Sequence, residues 1–203
     1  MINLGHGWKV ETVAHKFRYG QVNFAHQVHG DKIVYGGGDY IKQSADGLWI
    51  NSPDESAIAV RTADCLPLAL VTDSMGIALH VSRKSLARGL LIRSAEILGG
   101  REVIGAYLGP HICEKHFYFE EIGEELDRLI DLYPRGTTYV NGRTHVSLRK
   151  IVRLWLGEIG VSPDGVVEDF RCTYEQLDLP SYRRNKACLS SEDHLITVLK
   201  WSA

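Results

Sequence analysis

Two short apolar segments joined by a turn constrain the fold of this chain more than any other feature. Leu66–Val71 and residues 76–79 are aliphatic runs bounded by turn-forming residues, which is typical of buried strands. Residues 72–76 between them have the composition of a hairpin turn. Antiparallel pairing around that turn sets residue 65 roughly opposite residue 82. The sequence therefore predicts a buried pair of antiparallel strands.

Helix and strand signals alternate along the rest of the chain. From Ser85 onward, leucines recur at helical spacing as far as Leu98, and two glycines end that pattern. Further helices are predicted over 120–132 and from a cap at Ser147 to residue 159, and further strands over 57–60, 103–108, 138–140, 165–167 and 195–199. The mixture predicts an α+β (mixed α/β) fold in one domain over residues 1–203, with strand-rich central layers flanked by helices.

Charge and cysteine usage exclude several classes of protein. The formal net charge is -2 and acids and bases are interleaved, so no basic stripe is available to a nucleic acid. The first residues lack a basic region followed by an apolar one, and no run approaches the ~18 apolar residues that span a bilayer. The four cysteines are too few and too scattered for a disulfide framework. We therefore expect a cytoplasmic protein with free thiols and without nucleic-acid or membrane partners.

Three separate segments carry residues that bind soft or borderline metal ions. His29 ends one segment, Cys65 stands at the head of the first hairpin strand, and His80 stands at the end of the second. Catalytic metal sites gather three such ligands and leave one position open, whereas structural zinc sites show paired spacings such as C-x2-C, which this chain lacks. The hairpin predicts that Cys65 and His80 are neighbours. The alternative is that the three are a buried thiol, a core histidine and a loop histidine.

The segments around these residues resemble the motifs of the laccase-domain family. That family is also called the multicopper polyphenol oxidase family and is now regarded as zinc-dependent purine nucleoside enzymes. Gln27-Val28-His29-Gly30 is similar to its Q-V-H-G, residues 62–67 to its T-A-D-C-x-P, and His80 to the histidine of its H-A-G-W-R/K-G. Further matches follow in family order: A-D-G at 45–47, L-G-P at 108–110, the region 145–161, C-T at 172–173 and S-Y-R-R at 181–184.

The resemblance implies a fold like that of the putative cysteine hydrolases, with an α-β-β-α arrangement and a comparatively short N-terminal region. It implies a metal held by His29, Cys65 and His80, with zinc as the expected ion and copper as the alternative. It also implies small-molecule partners, namely phosphate and the purine nucleosides adenosine, inosine, guanosine and methylthioadenosine. The implied reactions are cleavage of these nucleosides by phosphate and deamination of adenosine.

Five further residues receive roles from the same resemblance. Asp64 is expected to act as a general base or to orient a ligand histidine; the alternative is that it only forms a turn. Arg183 and Arg184 are candidates for binding phosphate, unless both are solvated surface charges. Lys84 keeps a cation at the family's basic position. Tyr182 is a candidate to stack on the purine.

The largest departure from the family pattern follows His80. Val81-Ser82-Arg83-Lys84-Ser85 stands where the family has A-G-W-R/K-G, so that two glycines are serines and a tryptophan is an arginine. Because glycine permits unusual backbone torsions, we expect the loop that enters the helix to be shaped differently. Substrate recognition is expected to differ with it.

Three functions remain open on the sequence. The first is zinc-dependent nucleoside phosphorolysis and deamination, with Asp64, Cys65 and Arg183 as catalytic residues. The second is a copper polyphenol oxidase, which is the weaker alternative because the chain has no pair of histidine-rich H-x-H clusters. The third is a hydrolase with Cys65 as nucleophile and His80 as base, or else a metal-binding protein without turnover.

Overall fold

The computed structural model describes residues 1–14, 22–37, 43–53, 56–120, 123–185 and 193–202. Strands occur along the whole of this described chain. The strands are β1 (Ile2–Gly5), β2 (Trp8–Ala14), β3 (Val22–Asn23), β4 (Ile33–Tyr35), β5 (Gly47–Asn51), β6 (Ala57–Thr62), β7 (Leu66–Val71), β8 (Met75–Val81), β9 (Gly105–Leu108), β10 (Tyr118–Phe119), β11 (Thr137–Val140), β12 (Arg143–Val146), β13 (Val166–Glu168) and β14 (Leu195–Trp201). The helices are α1 (Arg83–Arg88), α2 (Leu90–Leu98), α3 (Glu124–Leu132), α4 (Leu148–Glu158) and α5 (Tyr182–Asn185). The predicted mixed α and β class is confirmed.

Two large sheets form the body of the protein. One has six strands in the order β13-β9-β7-β8-β5-β4, and the other has five in the order β1-β2-β14-β6-β3. A small third sheet contains β10, β12 and β11. The predicted hairpin is β7 and β8 at the centre of the six-stranded sheet, where Leu66 pairs with Val81 and Pro67 with His80. Both the hairpin and its register are confirmed.

Side chains alternate between the two faces of the six-stranded sheet, as the pleat requires. The three leucines of β7 pack with α1 to α4, whereas Ala69 and Val71 pack toward the five-stranded sheet. Trp8 of β2 fills the space between the sheets and is fully buried. Gly76 makes room for it, because a Cβ at that position would stand 2.5 Å from the indole ring. The order of layers is therefore helices, six-stranded sheet, five-stranded sheet.

The prediction of one continuous helix after His80 is wrong, because two helices follow. Gly89 has a φ of 99°, ends α1 and begins α2. Residues in this left-handed conformation do not continue an α-helix, and glycine adopts it without a steric penalty. The first helix also begins earlier than predicted, because it starts at Arg83 with Ser82 as its N-cap, whereas the helical pattern was expected from Ser85 onward.

Most other predicted elements are present with shifted ends. The helix predicted over 120–132 begins at residue 124, and residues 121–122 lie outside the described part of the chain. The strands predicted over 103–108 and 165–167 are found at Gly105–Leu108 and Val166–Glu168. Strands β1 to β5, β10 and β12 were not predicted. Three cysteines, at 65, 113 and 172, are free thiols as expected, while Cys188 lies outside the described residues. None of the described helices is long and apolar enough to cross a membrane.

Candidate metal centre and its cleft

The register of the hairpin brings Cys65 and His80 together. His80 pairs with Pro67, two residues after Cys65, so the thiol and the imidazole leave the same face of the sheet on adjacent strands. Ala78 on β8 packs toward the five-stranded sheet, and His80 shares that face at the end of the strand. His80 is buried and Cys65 is partly buried.

Asp46 holds His80 in place from the other neighbouring strand. β5 pairs with β8 so that Gly47 faces Leu79, which sets Asp46 beside His80. The His80 amide donates to the Asp46 carbonyl at 2.8 Å, and Nδ1 of His80 lies 2.8 Å from Oδ1 of Asp46. Burial raises the pKa of the Asp46 carboxyl, but the bonds to His80 and the Gly30 amide outweigh burial and lower that pKa. A charged carboxylate on Nδ1 leaves Nε2 of His80 available to a metal.

The same carboxylate builds the loop that carries His29. The amides of residues 28–30 donate to Asp46 at 3.1, 2.9 and 2.7 Å, so that three N–H groups converge on one anion. His29 has a φ of 58°, which few residues other than glycine adopt, and the bonds to Asp46 hold it there. Gln27, at the start of the loop, exchanges two hydrogen bonds of 2.8 Å with the backbone of Arg61. The loop is thus fixed at both ends.

His29, Cys65 and His80 converge on one point. Their ligand atoms all lie within 4.8 Å of one another, and the two imidazole rings stand edge to face with centroids 4.8 Å apart. Burial alone raises the pKa of the Cys65 thiol, but the two imidazoles outweigh it and lower that pKa to about 7. Burial alone lowers the pKa of His80, but the thiolate and Asp46 outweigh it and raise that pKa to about 9. A thiolate and two imidazoles, one backed by a carboxylate, form a donor set that suits zinc or copper.

Asp64 supports the site from the other side of Cys65. Its Oδ1 accepts a hydrogen bond from the Thr173 hydroxyl at 2.7 Å, and its Oδ2 accepts one from the Arg183 amide at 2.6 Å. Asp64 is buried and has a φ of 94°. Both carboxylate oxygens of Asp64 therefore tie distant loops to the segment that carries Cys65. The carboxylate that orients a candidate ligand histidine is that of Asp46 and not that of Asp64.

A cleft of about 1060 Å³ opens over the three candidate ligands, a size suited to a small-molecule substrate. Phe117, Phe119 and Tyr182 give it aromatic walls. Among its described lining residues, five carry fixed positive charge against the single carboxylate of Asp64. These are Arg61, Arg83, Lys84, Arg88 and Arg183. The cleft therefore suits a ligand that combines an anion with a planar ring.

Three of the four residues predicted to bind substrate line this cleft. Lys84 and Tyr182 are exposed on its wall. Arg183 is partly buried, and its guanidinium lies near the rings of residues 117–119. Its two terminal nitrogens each donate a hydrogen bond of 3.1 Å to the Tyr118 carbonyl. Only the remaining N–H groups of the guanidinium are available to a ligand.

Arg184 is placed differently from its neighbour. Its guanidinium donates to the carbonyls of Thr173 and Tyr174, both at 2.7 Å, and to two further carbonyls of the same loop. It does not line the cleft. Arg184 thus fixes a loop, and we exclude it from the anion site.

The segment that departs most from the family pattern starts a helix. The Ser82 hydroxyl accepts a hydrogen bond from the Ser85 amide at 3.0 Å, and the Ser85 hydroxyl accepts one from the Ser82 amide at 2.8 Å. This reciprocal pair is a capping box for α1. Arg83 lies 4.7 Å from the Phe119 ring and 3.1 Å from the Glu125 carboxylate. The two serines therefore cap α1, and Arg83 brings a cation to the cleft wall.

Comparison with known proteins identifies a family for this chain. The family profile described as Multi-copper polyphenol oxidoreductase laccase matches residues 9–190. The chain belongs to this laccase family. A purine nucleoside phosphorylase of Mycobacterium tuberculosis is 32% identical to it over 174 residues, which are 81% of this chain and 68% of that protein. The family resemblance of the sequence motifs is confirmed.

Two further similar proteins extend the comparison. Adenosine deaminase RL5, from an unknown prokaryotic organism, is 31% identical over 133 residues, which are 57% of this chain and 48% of that protein. The crystal structure of a Neisseria meningitidis protein from the family DUF152 superposes with a TM-score of 0.75 at 25% identity, covering 90% of this chain and 76% of that one. The similar proteins that carry an enzyme name support an enzyme of this family.

Sequence reasoning gave no role to Asp46. The residue belongs to the matched A-D-G segment, but its contact with His80 joins positions 34 residues apart on paired strands. Nothing in local spacing reveals that pairing, because the order of strands in the sheet decides it. The only signal in the sequence was the motif itself.

Proposed function

We propose that this member of the laccase family is a metal-dependent purine nucleoside enzyme, which cleaves purine nucleosides with phosphate and deaminates adenosine. The observation that carries the proposal is the convergence of His29, Cys65 and His80 in a cleft with cationic and aromatic walls. The names of two similar proteins, a purine nucleoside phosphorylase and an adenosine deaminase, support the same activities. Free thiols in the described residues agree with a reducing, cytoplasmic location.

His29, Cys65 and His80 are the proposed ligands of the metal, which we propose is zinc. When bound by three ligands, zinc supplies a Lewis acid with one open position. Copper fits the same donors, but laccase chemistry needs several coppers in histidine-rich clusters. Within the described residues, this trio is the only group of candidate ligands with two histidines. We therefore favour the nucleoside activities over polyphenol oxidation.

For phosphorolysis, we propose that the positively charged side chains of the cleft bind phosphate. In this reaction a phosphate oxygen bonds to the ribose C1′ while the bond from C1′ to the purine nitrogen breaks, and the base leaves with the electron pair. Lys84 and Arg183 lie on the cleft wall and can donate charge-assisted hydrogen bonds to the phosphate oxygens. Arg83 lies further along the same wall, partly neutralised by Glu125.

For deamination, we propose that the aromatic side chains of the cleft bind the purine base. In this reaction a water oxygen bonds to the ring carbon that carries the amino group, and ammonia leaves. Phe117, Phe119 and Tyr182 offer faces on which a purine can stack. We assign Asp64 to positioning, because its two oxygens hold Thr173 and the Arg183 amide. That second bond ties Arg183 to the segment that carries Cys65.

A hydrolase with Cys65 as nucleophile is the second candidate function. In the absence of a metal, the two imidazoles lower the pKa of the Cys65 thiol to about 7, and Asp46 orients His80 beside it. A thiolate next to an oriented imidazole is the arrangement of cysteine nucleophiles. Labelling of Cys65 by a thiol-selective reagent discriminates between the nucleoside enzyme and the hydrolase. Bound zinc protects a cysteine that is its ligand from the reagent, whereas a free nucleophile stays reactive.

The deciding experiment incubates the zinc-loaded protein of residues 1–203 with adenosine, inosine, guanosine and methylthioadenosine, with and without phosphate. We expect free purine base only when phosphate is present, and ammonia from adenosine. Cys65→Ser is expected to abolish both. Zinc-loaded protein that turns over none of these nucleosides contradicts the proposal.

A matched pair of variants tests the phosphate site. Lys84→Met removes a cation from the cleft and is expected to raise the KM for phosphate about tenfold, because a hydrogen bond to a charged group contributes roughly 1.5–3 kcal/mol. The KM for the nucleoside should change little. Lys150→Met, on the exposed surface of α4, serves as the control and should leave both constants unchanged. Equal effects of the two variants would exclude Lys84 from the phosphate site.

A further inference from the structure

A second cluster of metal-binding side chains lies away from the cleft. The sulfur atoms of Cys113 and Cys172 and a carboxylate oxygen of Glu175 all lie within 4.8 Å of one another. These three residues do not line the cleft. Neither proposed reaction uses them. The cluster therefore needs an explanation of its own.

Two matching turns build this cluster. The third and fourth amides after Cys113 donate to its carbonyl at 3.0 and 3.1 Å, and those after Cys172 donate to its carbonyl at 3.2 and 2.9 Å. Each turn begins on a cysteine and carries another potential ligand three residues later, His116 in the first and Glu175 in the second. The spacings C-x2-H and C-x2-E differ from the C-x2-C pair of structural zinc sites, but each sets two potential ligands on one turn.

His116 lies against the carboxylate of this trio. Its Nε2 lies 2.9 Å from Oε1 of Glu175, and its ring stacks on Tyr174 with centroids 4.2 Å apart. The Cys113 amide donates to the Cys172 sulfur at 3.2 Å, which joins the two turns directly. Zinc bonds of about 2.0–2.3 Å set tetrahedral ligand atoms roughly 3.3–3.8 Å apart, so a contraction of about 1 Å brings Cys113, Cys172 and Glu175 to an ion.

We propose that Cys113, Cys172 and Glu175 form a second, structural site for a zinc-class divalent cation, and that His116 completes it by exchanging its contact with Glu175 for the ion. With that imidazole added, two thiolates and a carboxylate make a closed set of four ligands without an open position. The cation joins the turn that follows β9 to the turn that follows β13. This proposal does not depend on the nucleoside activity.

The second site stabilises the surroundings of the first. Thr173, next to Cys172, donates its hydroxyl hydrogen to Asp64, which precedes Cys65. Arg184 binds the Thr173 carbonyl from the other side at 2.7 Å. A cation that fixes the turn at Cys172 therefore also fixes the support of the catalytic ligand segment.

Metal stoichiometry tests the second site separately from the first. The protein of residues 1–203 is purified in reductant, loaded with zinc and freed of excess ion, and its zinc content is measured by elemental mass spectrometry. We expect about two zinc ions per chain in the unaltered protein, about one in Cys65→Ser, about one in Cys113→Ser/Cys172→Ser, and none when all three changes are combined. Cys65→Ser protein without zinc, or the double variant with as much zinc as the unaltered protein, would overturn the proposal.

Cobalt spectra and a milder variant distinguish loss of the metal site from misfolding of the cysteine variants. In Cys65→Ser, bound cobalt should give thiolate-to-metal absorption that disappears on adding Cys113→Ser. Glu175→Gln keeps both thiols and is expected to weaken zinc binding at this site about tenfold or more. Gln176→Ala, at an exposed position next to Glu175 that offers no ligand, should keep full zinc content. Recovery of Cys113 and Cys172 as a disulfide from reduced, zinc-loaded protein would also overturn the proposal.

Discussion

At the scale of single residues, Asp46 determines the candidate centre. Its carboxylate accepts bonds from three consecutive amides of the loop that carries His29, and it lies 2.8 Å from Nδ1 of His80. A fully buried carboxylate would be unfavourable without these partners. One side chain thus sets the positions of two of the three proposed ligands.

Asp46→Asn is expected to weaken zinc binding at the His29–Cys65–His80 centre by about 10–100-fold, because loss of the charged partner of a ligand histidine typically has that effect. Competition with a chromophoric chelator measures the affinity, in a Cys113→Ser/Cys172→Ser background so that the centre is observed alone. Asp31→Asn, at an exposed position of the same loop, is the control and should bind zinc normally. Equal affinity in the two variants would show that Asp46 only shapes the fold.

Cys65 in metal-free protein is expected to react with a thiol-selective alkylating reagent with a midpoint near pH 7. The reactive species is the thiolate, so the rate should rise as pH increases through the lowered pKa of about 7. Burial and the neighbouring Cys172 raise the pKa of Cys113 to about 11, so Cys113 should stay unreactive at neutral pH. Mass spectrometry of the labelled peptides measures each site, and Cys65→Ser is the control.

Zinc at a stoichiometric amount should suppress this labelling. Rapid labelling of Cys65 in the presence of bound zinc would instead support the nucleophile hypothesis. The same experiment therefore separates the two candidate functions.

At the scale of elements, the start of α1 explains how the chain replaces the family's glycines after His80. Ser82 and Ser85 satisfy each other's amides, and the Ser85 hydroxyl also lies 3.2 Å from the His80 carbonyl. The helix therefore begins directly beside a proposed ligand. Gly89 ends it after six residues, which lets α2 turn onto the sheet.

Ser82→Ala is expected to destabilise the protein by about 1 kcal/mol, because the exchange removes the N-cap acceptor of α1. Urea unfolding measures the free energy. Ser162→Ala is the matched control, since Ser162 caps a short 3-10 turn without a side-chain hydrogen bond. It should change stability by less than about 0.5 kcal/mol. Equal losses in the two variants would argue against the capping box as the source of the stability.

At the scale of the whole molecule, a buried histidine couples stability to pH. His111 lies between the end of β9 and the segment before Cys172, and its Nδ1 lies 2.8 Å from the Gly109 carbonyl. Burial lowers the pKa of His111 to about 4, from an ordinary value of 6.5. Below pH 6.5 the unfolded chain therefore binds a proton at this position that the folded protein does not bind.

The contribution of His111 to stability should consequently fall as pH decreases from 6.5 toward 4 and stay constant well above pH 6.5. Between pH 6.5 and 5 the contribution of His111 is about 2 kcal/mol, from about 1.36 kcal/mol per pH unit. Urea unfolding at several pH values measures the slope, which His111→Asn should reduce. His6→Asn, at an exposed position, should keep the slope of the unaltered protein. A slope that survives in His111→Asn assigns the acid sensitivity to other groups.

Local patterns were sufficient to predict the hairpin and the helix faces. The apolar runs of β7 and β8 and the turn between them specify a register without reference to the rest of the chain, because a two-residue period and a short turn are local properties. That register already placed Cys65 near His80. The amphipathic stripe of α4 was visible for the same reason, whereas β2 and the break at Gly89 were missed.

Tertiary structure decided everything that depends on which strands are neighbours. β5 lies beside β8 only because of the order of strands in the six-stranded sheet, and this order brings Asp46 to His80 and the loop of His29 to both. Cys113 and Cys172 are 59 residues apart in the sequence. They meet because β13 pairs in parallel with β9, and each cysteine follows one of these two strands. The sequence by itself determined the chemical character of the ligands and the hairpin that carries two of them. Their supporting carboxylate and the second cluster arise from long-range pairing, which no local pattern encodes.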